Sequence, residues 1–195
     1  MSDSDTHDLG AIFDEHVADE FVIKDVAATM ATMTEHPTVV HLPTLAGGQG
    51  VEGVTRFYTD HFVGQWPDDV MITRVSRTCD TQRVVDEMLM TFTHDRVIDA
   101  FLPDVAPTGR VVQLPVVAVV GFVDGKVDYE HIYWDQASLL VQVGLLDRRG
   151  LPVTGAEQAE TLRALSVDDQ ARSDHLTSAS LAGDLSSATS ASPTG

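Results

Sequence analysis

The sequence predicts an α+β domain in which helices come first and long antiparallel strands follow. Apolar residues recur at helical spacing between residues 9 and 34 and again between 51 and 65. After residue 70 the pattern changes to the two-residue alternation of strands, and Asp124-Gly125 joins two Val-rich segments as a hairpin signal. We therefore expect a curved antiparallel sheet wrapped as a cone around the N-terminal helices, with a cavity between them.

The elements follow in order from these patterns. The first helix is predicted over residues 9–34, and Pro37 ends it. A short β-branched strand is predicted at 38–42, and the glycine-rich stretch 45–50 leads into the second helix at 51–65. Later strands are predicted at 70–78, 83–93, 110–123 and 126–135, and short helices at 138–146 and 155–165.

The chain divides into one domain and two flexible ends. Residues 1–8 are acidic and polar, which predicts a flexible N-terminus. Residues 9–165 contain the apolar patterns of a folded domain. From residue 166 the chain is rich in Ser, Ala, Thr, Asp and Gly, so burial cannot offset the entropy of ordering. We expect residues 166–195 to form a disordered tail.

Charge limits the partners of this protein. The net charge is −18, from 30 acidic and 12 basic residues. Such a surface repels nucleic acids and anionic membranes, so neither is expected as a partner. No segment approaches 18 continuous apolar residues and the N-terminus lacks a signal-peptide pattern, so we expect a cytoplasmic protein. The single cysteine, Cys79, excludes an intrachain disulfide.

No cofactor or metal is expected. Gly48, Gly50 and Gly53 match a dinucleotide-binding motif, but antiparallel hairpins follow instead of the required βαβ unit. The signatures GxSxG, HExxH, CxxC and the P-loop do not occur. Several histidines and one glutamate fall in or beside apolar elements, at the spacing of no known metal signature: His41, His61, His94, His131 and Glu87.

The best candidate site lies where the last predicted strand runs into a helix, in residues 126–146. Tyr129, His131, Tyr133 and Asp135 alternate along one face of that strand. An Asp and a His among aromatic neighbours suggest a pocket with an acid–base pair. Asp135 is therefore the candidate proton-transfer group and His131 its helper. The alternatives are that Asp135 caps the following helix or pairs structurally with His131.

Other polar residues on the predicted elements are candidates for lining the cavity and binding the substrate. Glu87 lies inside a strand, where facing the cavity and facing solvent are both open. The tyrosines could donate hydrogen bonds to a carbonyl group, although packing is their commoner role. The candidate substrate-binding residues are His41, Tyr58, Glu87, His94 and Tyr133.

The segment HIYWDQASLLVQVGLL carries a family resemblance. Together with the element order over residues 9–165, it resembles the nuclear transport factor 2-like superfamily and its SnoaL-like polyketide cyclase branch. Further similarity lies in HPTVVHLPT, TRFYTDHFVGQ, SRTCDTQRVVDEM and PTGRVVQLPVVAVVGFVDGK. The resemblance implies that Asp135 is the acid–base catalyst. It also implies a homodimer through the open sheet face, where Ile72, Arg74 and Ser76 are candidates.

These expectations converge on a small cofactor-free enzyme that binds a small apolar molecule. It would isomerise, cyclise or hydrate a carbonyl or polyketide-like compound, because related folds support these reactions. The competing hypothesis is a non-catalytic binding or accessory protein that uses the same cavity, since fold does not determine function.

Overall fold

The computed structural model of the chain describes residues 7–166. The helices are α1 Leu9–Ala18, α2 Val26–Ala31, α3 Gly50–Phe57 and α4 Gln136–Gln142, with π-helical turns at Asp19–Ile23 and Tyr58–Phe62. Residues 157–166 are also helical. The strands are β1 Met33–His41, β2 Ala46–Gln49, β3 Met71–Cys79, β4 Arg83–Thr93, β5 Val111–Val123 and β6 Lys126–Trp134.

The six strands form one sheet in the order β2-β1-β6-β5-β4-β3. This confirms the predicted α+β class with helices preceding a curved sheet. One detail needs correction, because β1 pairs with β6 in parallel while every other neighbouring pair is antiparallel. The parallel pair is possible because the chain between β1 and β6 is long enough to return in the same direction.

The first predicted helix is divided where its backbone turns left-handed. Lys24 has φ 58°, and the side chain of Asp25 then accepts hydrogen bonds from the amides of Ala27 and Ala28 to begin α2. Strand β1 begins at Met33, earlier than predicted, and contains Pro37 instead of following it. The pairing of β1 with β6 shifts register between Met33 and Thr38, which accommodates a residue without an amide donor.

The core lies on the inner face of the sheet. Alternate residues of β5 are buried, whereas their neighbours are less so, as the period of a strand requires. They form one cluster with Phe13 of α1 and with Phe57 of α3. Burying each such side chain contributes about 1.5–3 kcal/mol, so this cluster fixes the helices over the sheet. The buried β5 residues that face it are Val112, Leu114, Val116, Ala118 and Val120.

The two predicted flexible ends fall almost wholly outside the described residues, which include only residues 7 and 8 of the first and Ser166 of the second. Across residues 7–166, no helix has the length and apolar character needed to cross a membrane.

Candidate active site

A cavity of about 60 Å³ lies between the inner sheet face and the N-terminal helical segments. This space holds several water molecules or a small organic group. Most of the lining side chains are apolar. Four polar residues join them, and each is at most 5% exposed: Glu20, His41, Tyr58 and Glu130. A few convergent polar groups in an apolar cavity are the usual composition of a ligand site.

Two π-helical turns carry key side chains of this cavity. The turn Asp19–Ile23 follows α1 and supplies Glu20 and Phe21, and the turn Tyr58–Phe62 follows α3 and supplies Tyr58 and Phe62. A π turn inserts a residue into the helical repeat and therefore changes the direction in which the next side chains point. Both interruptions thus occur where the chain contributes to the cavity.

His16 connects the two carboxylates. Its Nε2 lies 3.0 Å from Glu130 Oε1 and 3.4 Å from Glu20 Oε1. The Tyr58 hydroxyl donates to Glu130 Oε1 at 2.9 Å and lies 3.3 Å from His16 Nε2. His16 is fully buried, and both carboxylates are nearly so. The result is a compact cluster of two carboxyl groups, one imidazole and one phenol.

Thr32 fixes the orientation of the His16 ring. Its hydroxyl donates to the carbonyl oxygen of Thr29 at 2.7 Å and lies 2.6 Å from His16 Nδ1. A hydroxyl has a single hydrogen, so Nδ1 must be the donor and Thr32 Oγ1 the acceptor. Nδ1 therefore carries a proton, and Nε2 is the atom presented to Glu20 and Glu130.

The environment shifts the pKa values of the two carboxyl groups in opposite directions. Burial alone would lower the pKa of His16, but the charges of Glu130 and Glu20 outweigh it and raise this pKa to about 10. Burial raises the pKa of Glu20, and the nearby His16 offsets this only in part. At Glu130 the effect of burial is outweighed by His16 and by the Tyr58 hydrogen bond, so its pKa is lowered. Of the two carboxyl groups, Glu20 therefore keeps its proton to the higher pH and Glu130 loses its proton at the lower pH.

The other ionisable groups of the lining stay neutral. Burial lowers the pKa of His41 to about 4, and its Nδ1 lies 3.3 Å from the carbonyl oxygen of Ala46. Since a carbonyl only accepts, Nδ1 holds the proton and Nε2 is an unprotonated acceptor. Burial also raises the pKa of Tyr58 well above its usual value, so this residue remains a hydrogen-bond donor.

Aromatic rings form much of the remaining wall. The ring of Trp66 lies 5.6 Å from Phe21, 5.7 Å from Phe62 and 5.0 Å from Phe101, measured between centroids. All four residues line the cavity. Their packing excludes water from one side of the cavity and strengthens electrostatic interactions inside it.

The cluster also has spacing that a metal ion could use. One ligand atom from each of His16, Glu20 and Glu130 lies within 4.8 Å of the others. Among the described residues, the histidines and Glu87 considered from the sequence are not brought together in such a group. His16 and Glu130 already contact each other directly, at 3.0 Å between Nε2 and Oε1.

Comparison with known proteins gives the fold. No family model matches the chain, and no curated protein matches it. Among solved structures, a protein from Jannaschia sp. CCS1 provisionally described as a SnoaL-like polyketide cyclase has a TM-score of 0.54 and 18% identity, covering 75% of this chain and 99% of that one. A ketosteroid isomerase-like fold protein from Catenulispora acidiphila, in complex with trimethylamine, has a TM-score of 0.54 and 14% identity, covering 69% and 93%.

A third match is AclR from Streptomyces galilaeus, provisionally described as a hydroxylase, with a TM-score of 0.53 and 20% identity over 71% of this chain and 97% of that one. The chain has the SnoaL-like form of the nuclear transport factor 2-like fold. The resemblance predicted from the sequence is thereby confirmed at the level of fold.

In this SnoaL-like fold, two of the predicted substrate-binding residues lie at the cavity. His41 and Tyr58 both line it. His94 is buried away from the lining, and its Nδ1 contacts the hydroxyl of Thr108 at 3.1 Å. Glu87 accepts a hydrogen bond from the Ser76 hydroxyl on the neighbouring strand, outside the cavity.

The face predicted for β6 needs correction. Glu130 and Ile132 point into the cavity, and strand alternation then turns His131 and Tyr133 to the other side of the sheet. His131 stacks on Tyr129 with ring centroids 4.7 Å apart, and Tyr133 is 43% exposed. The aromatic and histidine pattern that suggested a pocket therefore belongs to the outer face.

Asp135 stands at the N-cap of α4, outside the cavity lining. Its Oδ1 accepts from the amides of Ala137 at 2.9 Å and Ser138 at 3.1 Å, and its Oδ2 accepts from Gln158 Nε2 at 2.6 Å. All of these contacts hold the start of the helix. The structure thus gives Asp135 the position that the sequence left as the alternative to catalysis.

We expect Asp135→Asn to keep the melting temperature within a few degrees of the wild type and to keep turnover, because Asn caps helices about as well as Asp. Asp135→Ala should instead lose about 1 kcal/mol of unfolding free energy, the usual contribution of a cap. Chemical denaturation and turnover of both variants provide the check. A large loss of turnover in a normally folded Asp135→Asn protein would restore the catalytic assignment.

Sequence reasoning missed three residues of this site: His16, Glu20 and Glu130. One signal was available, because His16 and Glu20 interrupt the apolar stripe of the first helix. Polar residues on a buried helical face need partners inside the fold. Glu130 gave no comparable signal, since strand periodicity does not reveal which face turns inward.

Proposed function

We propose that this protein is a cofactor-free enzyme that moves protons on a small, mainly apolar carbonyl compound held in the cavity. The carrying observation is that two buried carboxyl groups share one histidine nitrogen, and that their pKa values are shifted in opposite directions. Pairs of titratable groups with separated pKa values are typical of acid–base sites. The structural neighbours described as polyketide cyclase and ketosteroid isomerase-like proteins support an enzyme of this general kind.

The cluster around His16 supplies the groups that act in this proposal. The Glu130 carboxylate accepts a proton from the carbon next to the substrate carbonyl, and the Glu20 carboxyl gives its proton to the carbonyl oxygen, which forms an enol. The Tyr58 hydroxyl donates its single hydrogen to Glu130 Oε1, which holds this base in place and helps to keep its pKa low. His16 is a positioning residue, because it contacts both carboxylates but is not part of the lining.

The later steps depend on the substrate. If the proton returns to another carbon, the reaction is an isomerisation. If the enol attacks a second carbonyl of the same molecule, it is a cyclisation. Both outcomes use the same donor and acceptor, and neither requires a group beyond these side chains.

The dependence of turnover on pH tests this proposal once a carbonyl substrate has been found by screening. Turnover should fall at low pH as Glu130 becomes protonated, and at high pH as Glu20 loses its proton. Glu20→Gln should lower turnover about 10²-fold and remove the alkaline fall, because the amide cannot give up a proton. Glu52→Gln, an exposed change on α3, is the control and should match the wild type.

An unchanged alkaline limb in Glu20→Gln would contradict the donor role of Glu20. If compounds bind in the cavity but none is turned over, the result favours the alternative considered from the sequence, a non-catalytic binding protein.

A further inference from the structure

We propose that the ligand of this cavity carries a small alkylated ammonium group. The inference deepens the proposed function, on which it rests for the identity of the site, by naming the charge and chemical class of the substrate. Its evidence is the composition of the lining, in which two carboxyl groups stand among aromatic rings.

Over residues 7–166, the lining contains acidic side chains and no strongly basic ones. Glu20 and Glu130 both line the cavity, and no Lys or Arg is found among the described lining residues. His16, which balances one carboxylate, touches both but is not part of the lining. A ligand in the cavity therefore meets carboxyl oxygens and not the imidazolium. An anionic ligand would meet the carboxyl oxygens of Glu20 and Glu130 before the His16 ring that lies beside them, whereas a cation is attracted to those oxygens.

The net charge of the chain acts in the same direction. At −18 the surface draws cations toward the protein and repels anions. Attraction at long range raises the rate at which a cationic ligand arrives, and the buried carboxyl groups give it a place to bind.

The rest of the lining suits a methylated cation. Six aromatic residues contribute to the cavity, namely Phe13, Phe21, Tyr58, Phe62, Trp66 and Phe101. Ring faces attract cations, and cages of such rings recognise quaternary ammonium groups. The methyl groups also pack against apolar walls, whereas a hydrated metal ion would have to lose its water there. Carboxylates combined with rings thus favour an alkylated ammonium over an inorganic cation.

Tetramethylammonium and tert-butanol provide a matched pair of probes, because they are similar in size and shape and differ in charge. Isothermal titration of the full chain at neutral pH should show tetramethylammonium binding about tenfold more tightly than tert-butanol. Phe21→Leu keeps an apolar wall but removes a ring face, so it should abolish most of this preference and leave tert-butanol binding nearly unchanged. Glu130→Gln should reduce the preference in the same way.

Binding of tert-butanol to the variants shows that their cavities are intact, so a variant that fails to fold is recognised at once. Equal or tighter binding of tert-butanol by the wild type would overturn the inference. So would an absence of tetramethylammonium binding, or a Phe21→Leu variant that still binds tert-butanol and keeps the full preference for tetramethylammonium. None of these results affects the turnover test of Glu20, so failure of the inference and failure of the proposed function remain distinguishable.

Discussion

Glu130→Gln is expected to lower turnover by about 10²–10⁴-fold, the usual contribution of a positioned acid or base. The amide keeps the shape of the side chain, and its oxygen can still accept the hydrogen bond that the Tyr58 hydroxyl donates at 2.9 Å. It cannot accept a proton from carbon, however. The measurement is kcat near neutral pH on a substrate found by screening, together with thermal melting of the same preparation.

Asp135→Asn is the matched control for this experiment, because it makes the same chemical change at the other candidate carboxylate. Its side chain caps α4 outside the cavity. A loss of turnover in Glu130→Gln with retention in Asp135→Asn would place the base at Glu130. The reverse pattern, with both proteins folded, would rule out the role proposed for Glu130 and support the role that the family resemblance implies for Asp135.

The sheet was predictable because strand patterns depend on local alternation and on turn residues. Strand β4 was predicted at 83–93 and is observed at Arg83–Thr93, and the hairpin signal at Asp124 and Gly125 joins β5 to β6. These features depend on neighbouring residues alone. The parallel pairing of β1 with β6 was missed because it joins segments far apart in the sequence.

The site was harder to predict for two physical reasons. The π-helical turns at Asp19–Ile23 and Tyr58–Phe62 break the helical repeat, so helical spacing assigns the wrong direction to the side chains that follow. On β6 the alternation was predicted correctly, but alternation alone does not tell which of the two sets of side chains faces inward. His131 was assigned to the inner face, whereas Glu130 occupies it. The inner face could be identified only from the partners that the helices bring to the sheet, and His16 is the main one.

The second large effect is expected for stability. His16→Leu should lower the free energy of unfolding by about 3–5 kcal/mol, because it leaves Glu130 as a buried carboxylate without its ion-pair partner. Chemical denaturation of both proteins at pH 7 measures this difference. The double variant His16→Leu/Glu130→Gln contains no unpaired charge at this position and should recover much of the loss, since removing both partners of a buried pair costs far less than removing one.

The pH dependence separates the ion pair from simple loss of packing. The folded chain raises the pKa of His16 from 6.5 to about 10, so the folded state holds a proton that the unfolded state releases above pH 6.5. Stability from this group is therefore fully present below pH 6.5 and is lost as the pH rises toward 10. The wild type should weaken across that window, and His16→Leu should show a smaller decline there. Parallel declines in the two proteins, or a destabilisation below about 1 kcal/mol, would mean that His16 is not the charged centre of this cluster. Its role would then be limited to packing beside Phe13, whose ring lies 6.2 Å away.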